Sequence, residues 1–120
     1  MRQWSTAELT RLREVDEIRI TPAPSEESVH PGRLIWVLEI RGRVFVRSWK
    51  GRDAAWYRQS LQTHRARIAA EGIDVDVVLQ ESHDADDEVD AAILAKYPRD
   101  YALQMNMPEP RATTLELLPA

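Results

Sequence analysis

The run Leu34-Ile35-Trp36-Val37-Leu38-Glu39-Ile40 constrains this 120-residue chain more than any other stretch. Read as a strand, its faces are Leu34, Trp36, Leu38, Ile40 and Ile35, Val37, Glu39, so both sides need cover. Arg41-Gly42 can then form a two-residue turn, with Val44 to Trp49 as the returning strand. That register sets Trp36 opposite Arg47 and Val37 opposite Val46; a three-residue turn would move Arg47 to the other face. A strand apolar on both faces asks for more cover than so short a chain easily provides, which leads us to expect a homodimer.

Around this hairpin the other elements fall into place. Ser5-Thr6-Ala7-Glu8 fits a capping box, with Trp4 and Leu9 spaced as a hydrophobic staple, and predicts a helix to about Val15. Glu17 to Thr21 alternates as a short strand that Pro22 ends, and Ala23 to Gly32 reads as a surface loop. Asp53 stands as a plausible N-cap for a helix to about Ala70, stopped by Gly72. On it Ala54, Tyr57, Leu61, His64 and Ile68 share one stripe, making His64 a core histidine more readily than a ligand. Ile73 to Leu79 alternates as a half-buried strand, and a further helix is expected from Asp84 to Tyr97. Pro98 to Arg111 reads as irregular and Thr113 to Leu118 as a closing strand. The chain, 1–120, is a single α+β domain with an antiparallel sheet or small barrel, although the passage through residues 53–70 also admits a parallel crossover.

Composition narrows the function classes. There is no cysteine, which removes disulfides, thiolate metal sites and thiol nucleophiles. No stretch reaches membrane-spanning length and the N-terminus lacks a signal-type apolar core, so the expected location is cytoplasmic. A net charge of −4 speaks against nucleic acid as a partner. The charges are segregated: Arg41, Arg43, Arg47, Lys50, Arg52, Arg58, Arg65 and Arg67 fill one segment, while Glu71 to Asp90 is acidic throughout. Mutual neutralisation across the fold accounts for this, and a local anion site is the alternative. Gly32, Gly42, Gly51 and Gly72 are too dispersed for a phosphate-binding loop. His30, His64 and His83 lack ligand spacing, and Asp84, Asp86 and Glu88 lack the glycine and the closing glutamate of a calcium loop, so no metal is expected.

The stretch most suited to chemistry is Val44 to Arg58. A strand ends in Arg47-Ser48, a cationic loop Lys50-Gly51-Arg52 follows, and a helix begins with Trp56-Tyr57-Arg58. Helix N-termini favour anions, and Arg47, Lys50 and Arg58 could converge on a phosphate or carboxylate there. Trp49, Trp56 and Tyr57 could offer flat surfaces to an aromatic ligand.

That stretch also carries a resemblance. Ile35-Trp36-Val37, Val46-Arg47-Ser48, Gly51 and Trp56-Tyr57-Arg58 resemble a bacterial family known as domain of unknown function 2255. Leu9, Asp16-Glu17, Val89-Asp90-Ala91-Ala92, Lys96-Tyr97 and Ala112-Thr113-Thr114-Leu115 extend the match over nearly the whole chain. More distantly, the strand end, cationic loop and Trp-Tyr helix start are similar to the flavin-type split β-barrels of the deazaflavin-dependent nitroreductase branch. This second resemblance implies a small antiparallel split β-barrel-like sheet with helices packed on it, and FMN or a deazaflavin as cofactor. It would set Arg47, Ser48, Lys50 and Gly51 toward the cofactor phosphate and Trp56 and Tyr57 near its ring or a partner subunit. The chain departs from that branch at Pro22 to Pro31, where those enzymes carry a glycine- and serine-rich stretch. The expected function is therefore flavin-type binding, with cofactor-dependent redox chemistry as its extension. The alternative is a cofactor-free domain that binds a small ligand or a partner.

Overall fold

In a computed structural model, residues 2–25 and 29–120 are described. Helix α1 (Thr6–Glu14) opens the chain, and its capping box is formed as expected: Ser5 Oγ accepts the Glu8 N–H while Glu8 accepts the Ser5 N–H. Strand β1 (Glu17–Pro22) follows. The apolar run then forms two strands, β2 (Arg33–Trp36) and β3 (Leu38–Ile40), in place of the single strand expected. Arg41-Gly42 turns into β4 (Arg43–Val46), with φ of 48° and 85°, the left-handed pair that a two-residue hairpin of this twist requires. The register matches a two-residue turn, pairing Ile40 with Arg43 and Leu38 with Phe45.

A 3-10 turn at Gly51–Asp53 precedes α2 (Ala55–Thr63), whose N-cap is Ala54. Asp53, expected in that role, makes no capping bond; the 3-10 turn in front of the helix displaces the boundary by one residue. The helix also ends early. His64 adopts a left-handed conformation (φ 55°) as C-cap and is exposed, so it is not a core histidine. Residues 65–70, expected to be helical, are β5 (Arg65–Ala70), with Ala66 and Ile68 buried and Arg65 and Arg67 outside. Gly72 (φ 79°) thus sits in the hairpin turn to β6 (Ile73–Glu81) and terminates no helix. Helix α3 (Asp86–Lys96) follows. Residues 98–111, expected to be irregular, hold α4 (Arg99–Met105) and α5 (Pro108–Arg111), and β7 (Leu115–Pro119) closes the chain.

All pairings are antiparallel, in the order β2-β1-β5-β6-β7-β4-β3, which removes the parallel crossover. The two outermost strands, β2 and β3, are separated in sequence by Val37 alone. One residue cannot span an open seven-stranded sheet, so the sheet must curl until its edges meet: a nearly closed, split-barrel-like sheet with helices packed on it. Its interior holds Ile18, Ile20, Val44, Val46, Ile68, Val77, Leu115 and Leu117, with Trp56 and Tyr57 of α2 in the same cluster. A second cluster joins the outer residues Leu38 and Phe45 to Val89, Ile93, Tyr97, Ala102 and Met105 of α3 and α4. The twice-apolar hairpin is thus covered on one face by the barrel interior and on the other by α3 and α4.

Candidate functional site

Val37 leaves both ladders, so its backbone N–H and carbonyl need partners from elsewhere. The C-terminal end of α3 supplies them. Tyr97 Oη accepts the Val37 N–H at 3.1 Å and donates to the Asp16 carbonyl at 2.7 Å. Lys96 Nζ donates to the carbonyls of Val37 at 2.7 Å and Leu12 at 3.2 Å. These two residues clasp the seam of the barrel and form one wall of a cleft of about 880 Å³.

Five tryptophan and tyrosine rings stand in the lining: Trp36, Trp49, Trp56, Tyr97 and Tyr101. Trp36 lies flat on Tyr97, with centroids 3.8 Å apart and planes at 2°. Trp49 stands edge-on to Trp36 at 5.9 Å and tilted against Tyr101 at 6.0 Å. Trp49 and Tyr101 remain substantially exposed, at 43% and 56%, so the aromatic wall is open at its rim. Ser48 is fully buried in the lining, and its Oγ has no hydrogen-bond partner among the described residues. A buried hydroxyl without a partner is costly and invites one.

The candidate residues separate at this point. Arg47, Ser48, Lys50 and Trp56 come together in the lining, whereas Gly51, Tyr57 and Arg58 lie outside it. Gly51 packs toward Glu109, Tyr57 belongs to the barrel core, and Arg58 is exposed on α2. Arg47 is fully buried with its charge already met. Its Nε donates to Thr114 Oγ1 at 2.8 Å, its Nη1 to Asp90 Oδ1 at 2.6 Å and Asn106 Oδ1 at 3.0 Å, and its Nη2 to the Asp86 carbonyl at 3.3 Å. The Asp86 carboxylate stands 3.7 Å away. Arg41 pairs with Glu88, Arg43 with Asp84 and Glu116, and Arg67 with Asp74 and Asp76, so with Arg47 half of the basic segment is neutralised by the acidic one.

Lys96 is the opposite case. It has no carboxylate within ion-pair distance among the described residues, and burial lowers its pKa to about 8 while Asp16 acts in the other direction. Burial also raises the Tyr97 phenol well above its usual range, keeping it a neutral donor. Neither residue was singled out for the site from the residues alone. A signal was present: Lys50 and Lys96 are the chain's only lysines, and both line this cleft.

No curated protein sequence matches the chain. Among solved structures it is similar to one from Listeria innocua described as a "Putative Pyridoxamine 5'-phosphate oxidase", at 11% identity and a TM-score of 0.60, covering 92% of this chain and 89% of that one. At that identity the likeness speaks for the fold, and it agrees with the split-barrel-like architecture. Residues 8–117 match the family described as "Uncharacterized protein conserved in bacteria", the family whose residues the sequence resembles. The chain therefore belongs to domain of unknown function family 2255.

Proposed function

We propose that the cleft binds a planar aromatic small molecule, with FMN or a deazaflavin as the leading class. The observation that carries this reading is the buried, unpartnered Ser48 Oγ in a cleft walled by Trp36, Trp49 and Tyr101. The volume exceeds that of a single small ring and lies within the range of cofactor pockets. Trp49 and Tyr101 would cover a ring, and Ser48 would hydrogen-bond one of its polar edges. A flavin held there would supply hydride or electron transfer, and the protein's part would be to orient it and exclude water. The exposed Leu34, Trp49 and Tyr101 at the rim support a homodimer whose second copy shields the opening.

The test is titration with FMN and with a deazaflavin, read by flavin absorbance and fluorescence, in wild type and Trp49→Leu. Saturable binding weakened about tenfold by the substitution is expected, since one aromatic contact contributes on the order of 1 kcal/mol. Light scattering across a dilution series tests the dimer, which a monomer throughout the micromolar range would exclude.

One observation favours a second reading. Arg47, one of the cations that the sequence set toward a phosphate, is neutralised by Asp86 and Asp90. A cofactor-free domain that binds simpler aromatic ligands would need no phosphate grip, and uptake of such ligands with no uptake of any flavin would select it.

A further inference from the structure

Two cationic side chains are set deep in the lining of the cleft, and only one of them retains free charge. Arg47 spends its guanidinium on Asp86, Asp90, Asn106 and Thr114. Lys96 spends two N–H groups on neutral carbonyls, those of Val37 and Leu12, which hold the ammonium in place without cancelling its charge. Its third N–H has no acceptor among the described residues. No carboxylate contacts this half-buried cation among the described residues, and an anion arriving in the cleft would offset the cost of its burial more fully than the attraction of Asp16 does. Asp16 and Glu17 also line the cleft; Asp16 attracts the ammonium, but among the described residues no carboxylate stands within ion-pair distance of Lys96.

The ammonium is also placed beside the aromatic wall. Lys96 Nζ lies 5.4 Å from the centroid of the Tyr97 ring, and that ring is stacked on Trp36. A ligand resting against Trp36 and Trp49 would therefore present an acidic group to Lys96, either on the ring itself or on a side chain attached to it.

We infer that Lys96 is the anion-recognising residue of the cleft, so that its ligand class is the planar aromatic acid, a ring bearing a carboxylate or a phosphate. This inference rests on the proposal that the cleft takes an aromatic ring, and it adds which charge the ring carries and which residue reads it. Lys96 replaces Arg47 in the part that the sequence suggested for Arg47.

Two matched ligand pairs test it: FMN against riboflavin for a phosphate, and 2-naphthoate against 2-naphthamide for a carboxylate. Each is titrated by tryptophan fluorescence into wild type, Lys96→Met, Lys96→Arg and Lys50→Met. A charge-assisted contact corresponds to roughly a 10- to 100-fold preference, so at least one acid should bind that much more tightly than its neutral partner. Lys96→Met should abolish the preference while the neutral partner binds as before; Lys96→Arg and Lys50→Met should largely keep it. Which pair shows the preference distinguishes phosphate from carboxylate. If Lys96→Met fails to fold because the seam loses its clasp, the wild type still decides. Reductive methylation with ¹³C-formaldehyde labels the two lysine amines, Lys50→Arg assigns them, and the Lys96 signal should move on adding the acid and stay on adding its neutral partner. A preference that survives Lys96→Met, a preference lost in Lys50→Met instead, or ring binding with no preference at all would overturn the inference and leave the aromatic cleft standing. No binding of any of the four compounds would overturn both.

Discussion

Arg47 and Lys96 line one cleft, yet the fold treats their charges in opposite ways. Arg47 reaches from the end of β4 into a cluster made by α3, α4 and the loop before β7, where carboxylates and hydroxyls of the same chain saturate it. Lys96 reaches from the end of α3 to the barrel seam, where its hydrogen bonds go to backbone carbonyls and to no carboxylate among the described residues. Buried charge that is paired belongs to the architecture; buried charge that is left unpaired is available to a ligand. The difference teaches that the type and position of a cation in the sequence do not say which of these it is. Partners distant in sequence decide, here Asp90 and Asn106 for Arg47.

The largest way to break the comparison is Arg47→Met. It takes the buried cation from Asp86 and Asp90, leaving Arg111 and His83 as their partners, and should lower stability by about 3 kcal/mol in denaturant melts. A loss under 1 kcal/mol would mean that Arg47 is not a structural cation. Next is Tyr97→Phe, which removes the acceptor for the buried Val37 N–H and the donor to the Asp16 carbonyl. It should cost roughly 1–3 kcal/mol, and an unchanged midpoint would show that the seam is held by Lys96 alone.

The pH dependence sharpens the comparison from the side of Lys96. Its folded pKa, about 8, lies below the ordinary lysine value, so between pH 8 and 10 the unfolded chain binds more protons than the folded one. Stability should therefore rise with pH across that window in wild type, and Lys96→Met should flatten the rise. Above pH 10 the raised Tyr97 pKa acts in reverse: the folded state retains a proton that the unfolded state releases, and stability should fall. Chemical denaturation at pH 7, 8, 9, 10 and 11 checks both limbs, and the same profile in Lys96→Met and wild type would contradict the assignment to Lys96. The smallest effects concern the helix starts. Ser5→Ala removes a formed capping bond and should cost about 1 kcal/mol, whereas Asp53→Ala should stay within about 0.5 kcal/mol.

The parts of the fold that local chemistry fixes were legible in the sequence. The capping box at Ser5, the turn at Arg41-Gly42, the alternation of β6 and the start and end of the chain's helical α3 region all follow from residues near one another. The failures came where tertiary pairing outvoted local preference. Residues 65–70 read as helix because Ile68 continues the stripe of Tyr57, Leu61 and His64, but His64 breaks the helix and β1 and β6 flank the segment on both sides. The break at Val37 has no local signal, because the partners that satisfy it are Lys96 and Tyr97, about 60 residues away. Of the site, the stretch Arg47 to Trp56 was visible as a cationic, aromatic junction, and it does supply Ser48, Trp49, Lys50 and Trp56 to the cleft. Trp36, Lys96, Tyr97 and Tyr101 complete the lining only because the barrel closes at Val37 and brings α3 and α4 against that junction.

The chain carries its own internal control for the central claim. Of its four tryptophans, Trp36, Trp49 and Trp56 line the cleft, while Trp4 is tied elsewhere, its Nε1 donating to the Leu117 carbonyl at 3.1 Å. The direct measurement is therefore the four ¹⁵N-indole signals followed through a titration with FMN and, in parallel, with 2-naphthoate. The signals of Trp36, Trp49 and Trp56 should shift saturably with at least one of these ligands while that of Trp4 stays in place. Four unmoved signals with both ligands, or a Trp4 signal that moves as far as the others, would contradict the central claim.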